Sequence, residues 1–348
     1  MIPIVNLFNQ KNLSGKYCLS PFIMIEVGLN GEVRLCGCAD WMPTIVGNLF
    51  SNTLEEILSS PLAVSIRQSI INGSYQYCNE RKCGIILNNQ LNTADNLPPN
   101  VADMIKDANI WNMPYEIHLS GDLTCNLSCP SCRPFVIKLS EEQYSKHREL
   151  GQKLAANLFS RSSNTRINIM ASTSGEIFAS PLLLEFVNEI DLQRFPNVWL
   201  TVQTNGLLAP KRWHKLGALQ HRVPKTTMTL DAARPVTYEQ VRRGGLWTDA
   251  MAAMIFFQNQ RKQNMKFHVR MVVQESNWRE ILEFYDLAKS FDADIVEYVR
   301  LTDWKSWSPE EFISHDVFGL NHKNRSAAQE LMAEIKTKPD VFLAGDFD

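Results

Sequence analysis

YEIHLSGDLTCNLSCPSC, residues 115–132, joins a short apolar run at 115–119 to three closely spaced cysteines, Cys125, Cys129 and Cys132. An apolar, β-prone run that ends in Ser-Gly-Asp reads as a strand opening into a loop. The C-x3-C-x2-C spacing can gather three thiolates on one side of a metal centre, one short of the four that saturate a [4Fe–4S] cube. The remaining iron would be open, as a catalytic metal position must be. Two further readings stand beside this one: a structural zinc site completed by His118, and three unligated thiols.

Downstream, apolar runs recur at 166–171, 198–203, 226–230, 267–273 and 295–301. Between them lie amphipathic stretches at 140–161, 181–194, 210–221, 249–264 and 277–291, the first opened by a Ser140/Gln143 capping-box pair. Strands alternating with helices imply a parallel sheet, right-handed crossovers and a site at the C-terminal ends of the strands. The fold class is α/β, an open sheet or an incomplete (β/α)6 barrel spanning 113–303. Upstream, residues 93–112 carry a Pro-Pro pair and several Asn and Asp, and read as a linker. Residues 1–92 read as a small cysteine-rich α+β domain. It contains a hairpin around Leu29-Asn30-Gly31 and a helical stretch at 53–72 that Pro61 divides in two.

All eight cysteines, Cys18, Cys36, Cys38, Cys78 and Cys83 with the three above, precede residue 133 in a chain of 348. In a reducing compartment such clustering points to metal ligation rather than disulfides. The first residues, MIPIVNLFNQKNLSGK, lack a basic leader followed by an apolar run, and the stretch around Ala250 to Phe257 is too short to span a bilayer. A cytoplasmic location is the expectation, with no membrane partner. Thirty-five basic against 37 acidic residues leave a net charge of -2, so no global field draws the chain to nucleic acid. A hydrophobic content of 45% excludes a mainly disordered chain.

The loop at 125–132 resembles the signature loop of the radical S-adenosylmethionine (radical SAM) enzymes. The resemblance implies that Cys125, Cys129 and Cys132 hold a [4Fe–4S] cluster whose unique iron is chelated by the amino and carboxylate groups of SAM. An electron, from a donor such as flavodoxin or ferredoxin, would cleave the sulfonium C–S bond, and the 5′-deoxyadenosyl radical would abstract hydrogen from substrate. Thr173-Ser174-Gly175-Glu176 is similar to the family's Gly-Gly-Glu motif, with Ser174 replacing the first glycine. By that match Ser174, Gly175 and Glu176 receive the SAM ammonium. Gln203-Thr204-Asn205-Gly206 is similar to the Thr-Asn-Gly after the third strand, which puts Asn205 at the cofactor. Thr229-Leu230-Asp231 and Tyr238-x3-Arg242 resemble a Ser-Leu-Asp…Tyr-Arg stretch, which implies Thr229 at the ribose or methionyl group and Arg242 on the SAM carboxylate. As plain local structure, Gly206 would supply a turn, and Arg242 with Arg243 a solvated helix face. Ser131 stands where relatives have an aromatic, so adenine would pack elsewhere, at Val299 or Leu301.

Asn30-Gly31-Glu32-Val33-Arg34-Leu35-Cys36, Gly47-Asn48-Leu49, Leu54 to Leu58, Arg67 and Cys78-x4-Cys83 resemble the SPASM/twitch auxiliary-cluster domain, placed here before the barrel rather than after it. Four thiolates saturate one cluster and five cannot saturate two. The expectation is one auxiliary [4Fe–4S] cluster on Cys18, Cys36, Cys78 and Cys83 with Cys38 spare; exchanging Cys36 and Cys38 stays open, as does a zinc ribbon. Residues 304–348 read as a helical tail, starting at Ser308-Pro309-Glu310-Glu311, that covers the barrel's open side or packs outside it. The functional expectation is a radical SAM enzyme that modifies a ribosomal peptide. The alternatives are radical modification of a sugar or small metabolite, and a non-catalytic metal-stabilised binding module.

Overall fold

The structure, a computed structural model, describes residues 12–159, 166–171, 174–261 and 265–347, and the chain divides into two compact units. The first comprises Met1–Asp122, Ser140–Ser174 and Glu189–Trp199. Its sheet begins with the expected hairpin, β1 (Met24–Val27) antiparallel to β2 (Glu32–Arg34), followed by β3 (Gly47–Asn48) beside β2. Gly31 closes the turn at φ +78°, where a Cβ would also strike the Phe50 ring. On its other edge β1 runs parallel to β4 (Glu116–Leu119), in register Met24↔Glu116 through Val27↔Leu119, and β4 is parallel to β5 (Ile167–Ala171). The cysteine-rich segment thus shares a sheet with the first strand after the linker.

Local chemistry sets the helices of this unit. Thr53 and Glu56 form a capping box at helix Leu54–Leu58, and Ser60 caps helix Pro61–Ile71 with Pro61 in its first turn. The expected box also forms at helix Glu141–Leu158, where Gln143 N donates to Ser140 Oγ at 3.2 Å and Ser140 N to Gln143 Oε1 at 2.9 Å. The linker is more ordered than its composition implies, with helix Pro99–Lys106 placing Val101, Met104 and Ile105 in a core with Phe22, Ile70, Tyr75 and Ile86. Arg67, 1% exposed, braces this core: its Nε donates to Ala108 O and its Nη2 to Leu58 O, both at 2.8 Å. Burial holds its guanidinium below the usual arginine range, at about 10.

The second unit comprises Leu123–Leu139, Gly175–Asn188 and Leu200–Asp348. Most of β6 (Val198–Thr204), then β7 (Lys225–Thr229), β8 (Lys266–Val273), β9 (Ile295–Arg300) and β10 (Val341–Ala344) lie here side by side in that order, all parallel. Helices Trp247–Arg261 and Ile281–Ser290 return the chain between strands, while the stretch expected as helix at 210–221 forms the short helix Ala209–Arg212 and then a tighter 3₁₀ stretch, Trp213–Arg222, broken at Gly217. Phe267, Val269, Met271 and Val273 of β8 are fully buried, and the alternate residues His268 and Arg270 face the other side. The tail is not wholly helical. After helices Pro309–His315 and Arg325–Ile335 it ends in β10, an edge strand on β9. Helix Arg325–Ile335 packs against helix Ile281–Ser290. The four-residue apolar run Val341–Ala344 is too short to announce a strand without its partner.

Candidate metal centres

The three-cysteine loop lies in the second unit. Cys125 N donates to Ile137 O (3.2 Å), and Cys132 N and Arg133 N both donate to Cys129 O (2.9 Å), so the backbone coils tightly around the three thiols. Cys129 is buried, Cys125 half-buried and Cys132 exposed. Every sulfur has N–H donors aimed at it: Leu127 N (3.5 Å) and Asn205 Nδ2 (3.9 Å) at Cys125, Arg242 Nη1 (3.5 Å) at Cys129, and Arg133 Nε (3.4 Å) and Nη2 (3.3 Å) at Cys132. Donors of this kind suit thiolates, the form that binds metal. Burial, with the nearby Glu176 carboxylate adding to it, pushes the Cys125 thiol up to about 11, so a metal is what would keep it ionised near neutral pH. The donor set therefore fits an iron–sulfur group.

Glu176 follows the loop in space: its N donates to Thr124 O (2.8 Å). Its side chain, 1% exposed, accepts from Thr204 Oγ1 (2.7 Å), Asn205 N (2.7 Å) and Phe178 N (3.1 Å). The carboxylate expected at the SAM ammonium is thus occupied in joining its own loop to the end of β6. Burial raises its pKa against the pull of these donors. Asn205 Nδ2 also donates to Asn126 Oδ1 (3.0 Å), and Gly206, at φ +85°, lies so close to Met228 that a Cβ would approach its sulfur to 2.8 Å. Gly175 is half-buried beside Glu176, Ser174 falls in the first unit, and Thr173 is outside the described residues.

Arg242 is no solvated helix residue. Its Nη2 donates to Thr229 O (2.8 Å), and its Nε lies 3.0 Å from Asp231 Oδ2, an ionic contact whose angle is too poor for a hydrogen bond. Burial opposes its charge, but Asp231 and Cys129 more than offset that and hold it firmly protonated. The fork expected on the SAM carboxylate is therefore held largely by protein. Asp231, quoted in the sequence motif without a role, is the residue that sequence reasoning missed. It sits at φ +66° and also accepts from Val272 N (2.7 Å). Arg243, by contrast, is exposed and ties the loop through Ser128 Oγ (3.2 Å) and Pro134 O (2.7 Å). Leu301, just beyond β9, is buried, and Val299 is half-buried.

In the first unit Cys18, Cys36, Cys78 and Cys83 line one small apolar cavity with Leu35, Trp41, Met42, Tyr75 and Ile86, while Cys38 does not. Burial first, and then mutual repulsion, pushes the Cys36 and Cys78 thiols up, and burial raises Cys18 and Cys83 as well. Four such sulfurs can ionise together only around cationic iron or a similar centre. Among the described residues no three His, Cys, Asp or Glu side chains converge as a bound single ion requires. Tyr75 positions the set, its OH donating to Lys16 O (2.8 Å) and accepting from Cys18 N (3.0 Å). Cys38 is held apart by its own turn, where backbone donors of Asp40 and Trp41 reach it and Trp41 N and Met42 N donate to its carbonyl (3.1 Å). His118 packs against Gly37, where a Cβ would come within 2.6 Å of the ring.

Residues 18–84, which include all five of these cysteines, match the SPASM family model, described as an iron-sulfur cluster-binding domain. This segment of the chain is similar to a SPASM iron-sulfur domain. No curated protein matches the chain. Among solved structures, SuiB of Streptococcus suis bound to precursor peptide SuiA is similar at 14% identity and TM-score 0.44, over 82% of this chain and 62% of that one. TYW1 with a lysine-pyruvate adduct follows at 16% identity and TM-score 0.36, over 64% and 72%. The native anSMEcpe with bound AdoMet and Cp18Cys peptide is 18% identical with TM-score 0.37, over 54% and 51%. The chain spans less than two thirds of SuiB's length. No helix among the described residues is long and apolar enough to cross a membrane.

Proposed function

We propose that the chain is a radical SAM enzyme in which Cys125, Cys129 and Cys132 hold a [4Fe–4S] cluster, and that its substrate is a ribosomal peptide. Held by these three cysteines, such a cluster would supply the electron for reductive cleavage of the SAM sulfonium. The observation that carries the reading is the set of N–H donors on all three loop sulfurs, with Asn205 reaching both the loop and Cys125. Glu176 and Asp231 fix the ends of β6 and β7 that flank the loop, which keeps Asn205 and Thr229 in place. By the family resemblance, backbone at Ser174 and Gly175 would take the SAM ammonium, Arg242 and Thr229 the carboxylate and ribose side, and Leu301 the adenine. Cys18, Cys36, Cys78 and Cys83 hold the auxiliary cluster in this reading, and a flavodoxin or ferredoxin supplies electrons. The peptide is the substrate class the SPASM resemblance implies. Anaerobic reconstitution with SAM and reductant, assayed for 5′-deoxyadenosine, tests the chemistry: Cys125→Ala, Cys129→Ala and Cys132→Ala should each abolish it. Product that persists in these variants, or none in the parent, rejects the enzyme reading and favours a binding module.

A further inference from the structure

Cys132 is the exposed member of the loop, yet its neighbour Arg133 is only 7% exposed. The turn made by two N–H groups on Cys129 O folds the Arg133 side chain back beneath the loop. There its Nη1 donates to Leu123 O while Nε and Nη2 converge on Cys132 Sγ at 3.4 and 3.3 Å. A guanidinium that closes two N–H groups on one sulfur is arranged for an anion, since a neutral thiol is a weak acceptor. Across the loop Arg242 sends a single N–H, Nη1 at 3.5 Å, to Cys129 Sγ.

We propose that Arg133 is a positioning residue that raises the reduction potential of the cluster ligated by Cys132, with Arg242 adding a smaller share through Cys129. The proposal rests on the radical SAM reading and gives these arginines a redox role. Taking up one electron adds negative charge that spreads onto the sulfur ligands, so N–H donors and a fixed cation favour the reduced state.

The full chain, reconstituted anaerobically, is titrated with dithionite and redox mediators while the reduced signal is followed by electron paramagnetic resonance. The signal that changes when SAM is added belongs to the loop cluster and is told from the auxiliary one in that way. Arg133→Gln should lower the midpoint by at least a tenfold change in the reduction equilibrium, about 59 mV for one electron. Arg133→Lys, which keeps charge without the fork, should fall between, and Arg242→Lys should shift less than Arg133→Gln. Arg279→Gln, at a side chain 58% exposed, should shift nothing. An unmoved midpoint in Arg133→Gln, with the signal still responsive to SAM, overturns the proposal. If that variant fails to hold the cluster, Arg133→Lys decides in the same way. Absence of any SAM-responsive signal in the parent instead overturns the radical SAM reading.

Discussion

Asp231→Asn removes the charge of the buried pair with Arg242 while leaving its shape. Position 231 has φ +66°, a left-handed conformation that asparagine also tolerates, so the backbone has no cause to move. The new Oδ1 can still accept from Val272 N, now 2.7 Å away, but the amide nitrogen would face Arg242 Nε across 3.0 Å. The side chains of Arg242 and Asp231 are 12% and 5% exposed, so water screens them little. At an effective dielectric near 20, unit charges 3.0 Å apart attract by about 5–6 kcal/mol. Stranding one member of such a pair costs about 3–5 kcal/mol. The bonds that Arg242 keeps, to Thr229 O and Cys129 Sγ, place the loss near the lower end, about 3 kcal/mol. Arg242→Met together with Asp231→Asn leaves no charge behind, so the double variant should be about 2 kcal/mol more stable than the two single losses predict. Urea unfolding of parent, singles and double, followed by circular dichroism and tryptophan fluorescence, gives that coupling. A value within about 0.5 kcal/mol of zero would refute the view that this pair organises the end of β7.

Arg67→Met keeps the apolar stem but orphans Leu58 O and Ala108 O, and should cost about 2–4 kcal/mol in urea unfolding; a loss under about 0.5 kcal/mol would deny its bracing role. Glu297 is held down to about 2 because hydrogen bonds and charge from His268 and Arg270 outweigh its burial. A depressed carboxyl adds stability that is present above its unfolded pKa of about 4.3 and lost as pH falls toward 2, about 3 kcal/mol in all. Parent protein should therefore lose more stability between pH 4.5 and 3 than Glu297→Gln does, and equal slopes would contradict the pairing. Cys38→Ala should retain the auxiliary cluster's iron, whereas Cys36→Ala should lose about four iron atoms per chain; the reverse result in an iron assay would exchange their roles.

The expectations met most closely are those whose causes lie within a few residues. The Ser140/Gln143 and Ser308/Glu311 caps each satisfy helix N–H groups with a side chain three positions away, so residue type alone marks the helix start. All six strands expected after residue 113 begin and end within one residue of 115–119, 166–171, 198–203, 226–230, 267–273 and 295–301, because short β-prone runs bounded by loop residues mark their own ends.

What only the tertiary structure decided are pairings between groups far apart in the chain. Glu176 with Thr204 and Asn205, Arg242 with Cys129, and the four thiols from 18 to 83 around one cavity depend on how the backbone returns, which no local pattern encodes. The parallel edge strand β10 is of the same kind, since four apolar residues become a strand when β9 offers its hydrogen bonds. Residue types marked which side chains are available as metal ligands and caps. Burial and long-range contact determined which carboxylates and guanidinium groups are already engaged by the protein, because charges removed from water must be paired wherever folding puts them.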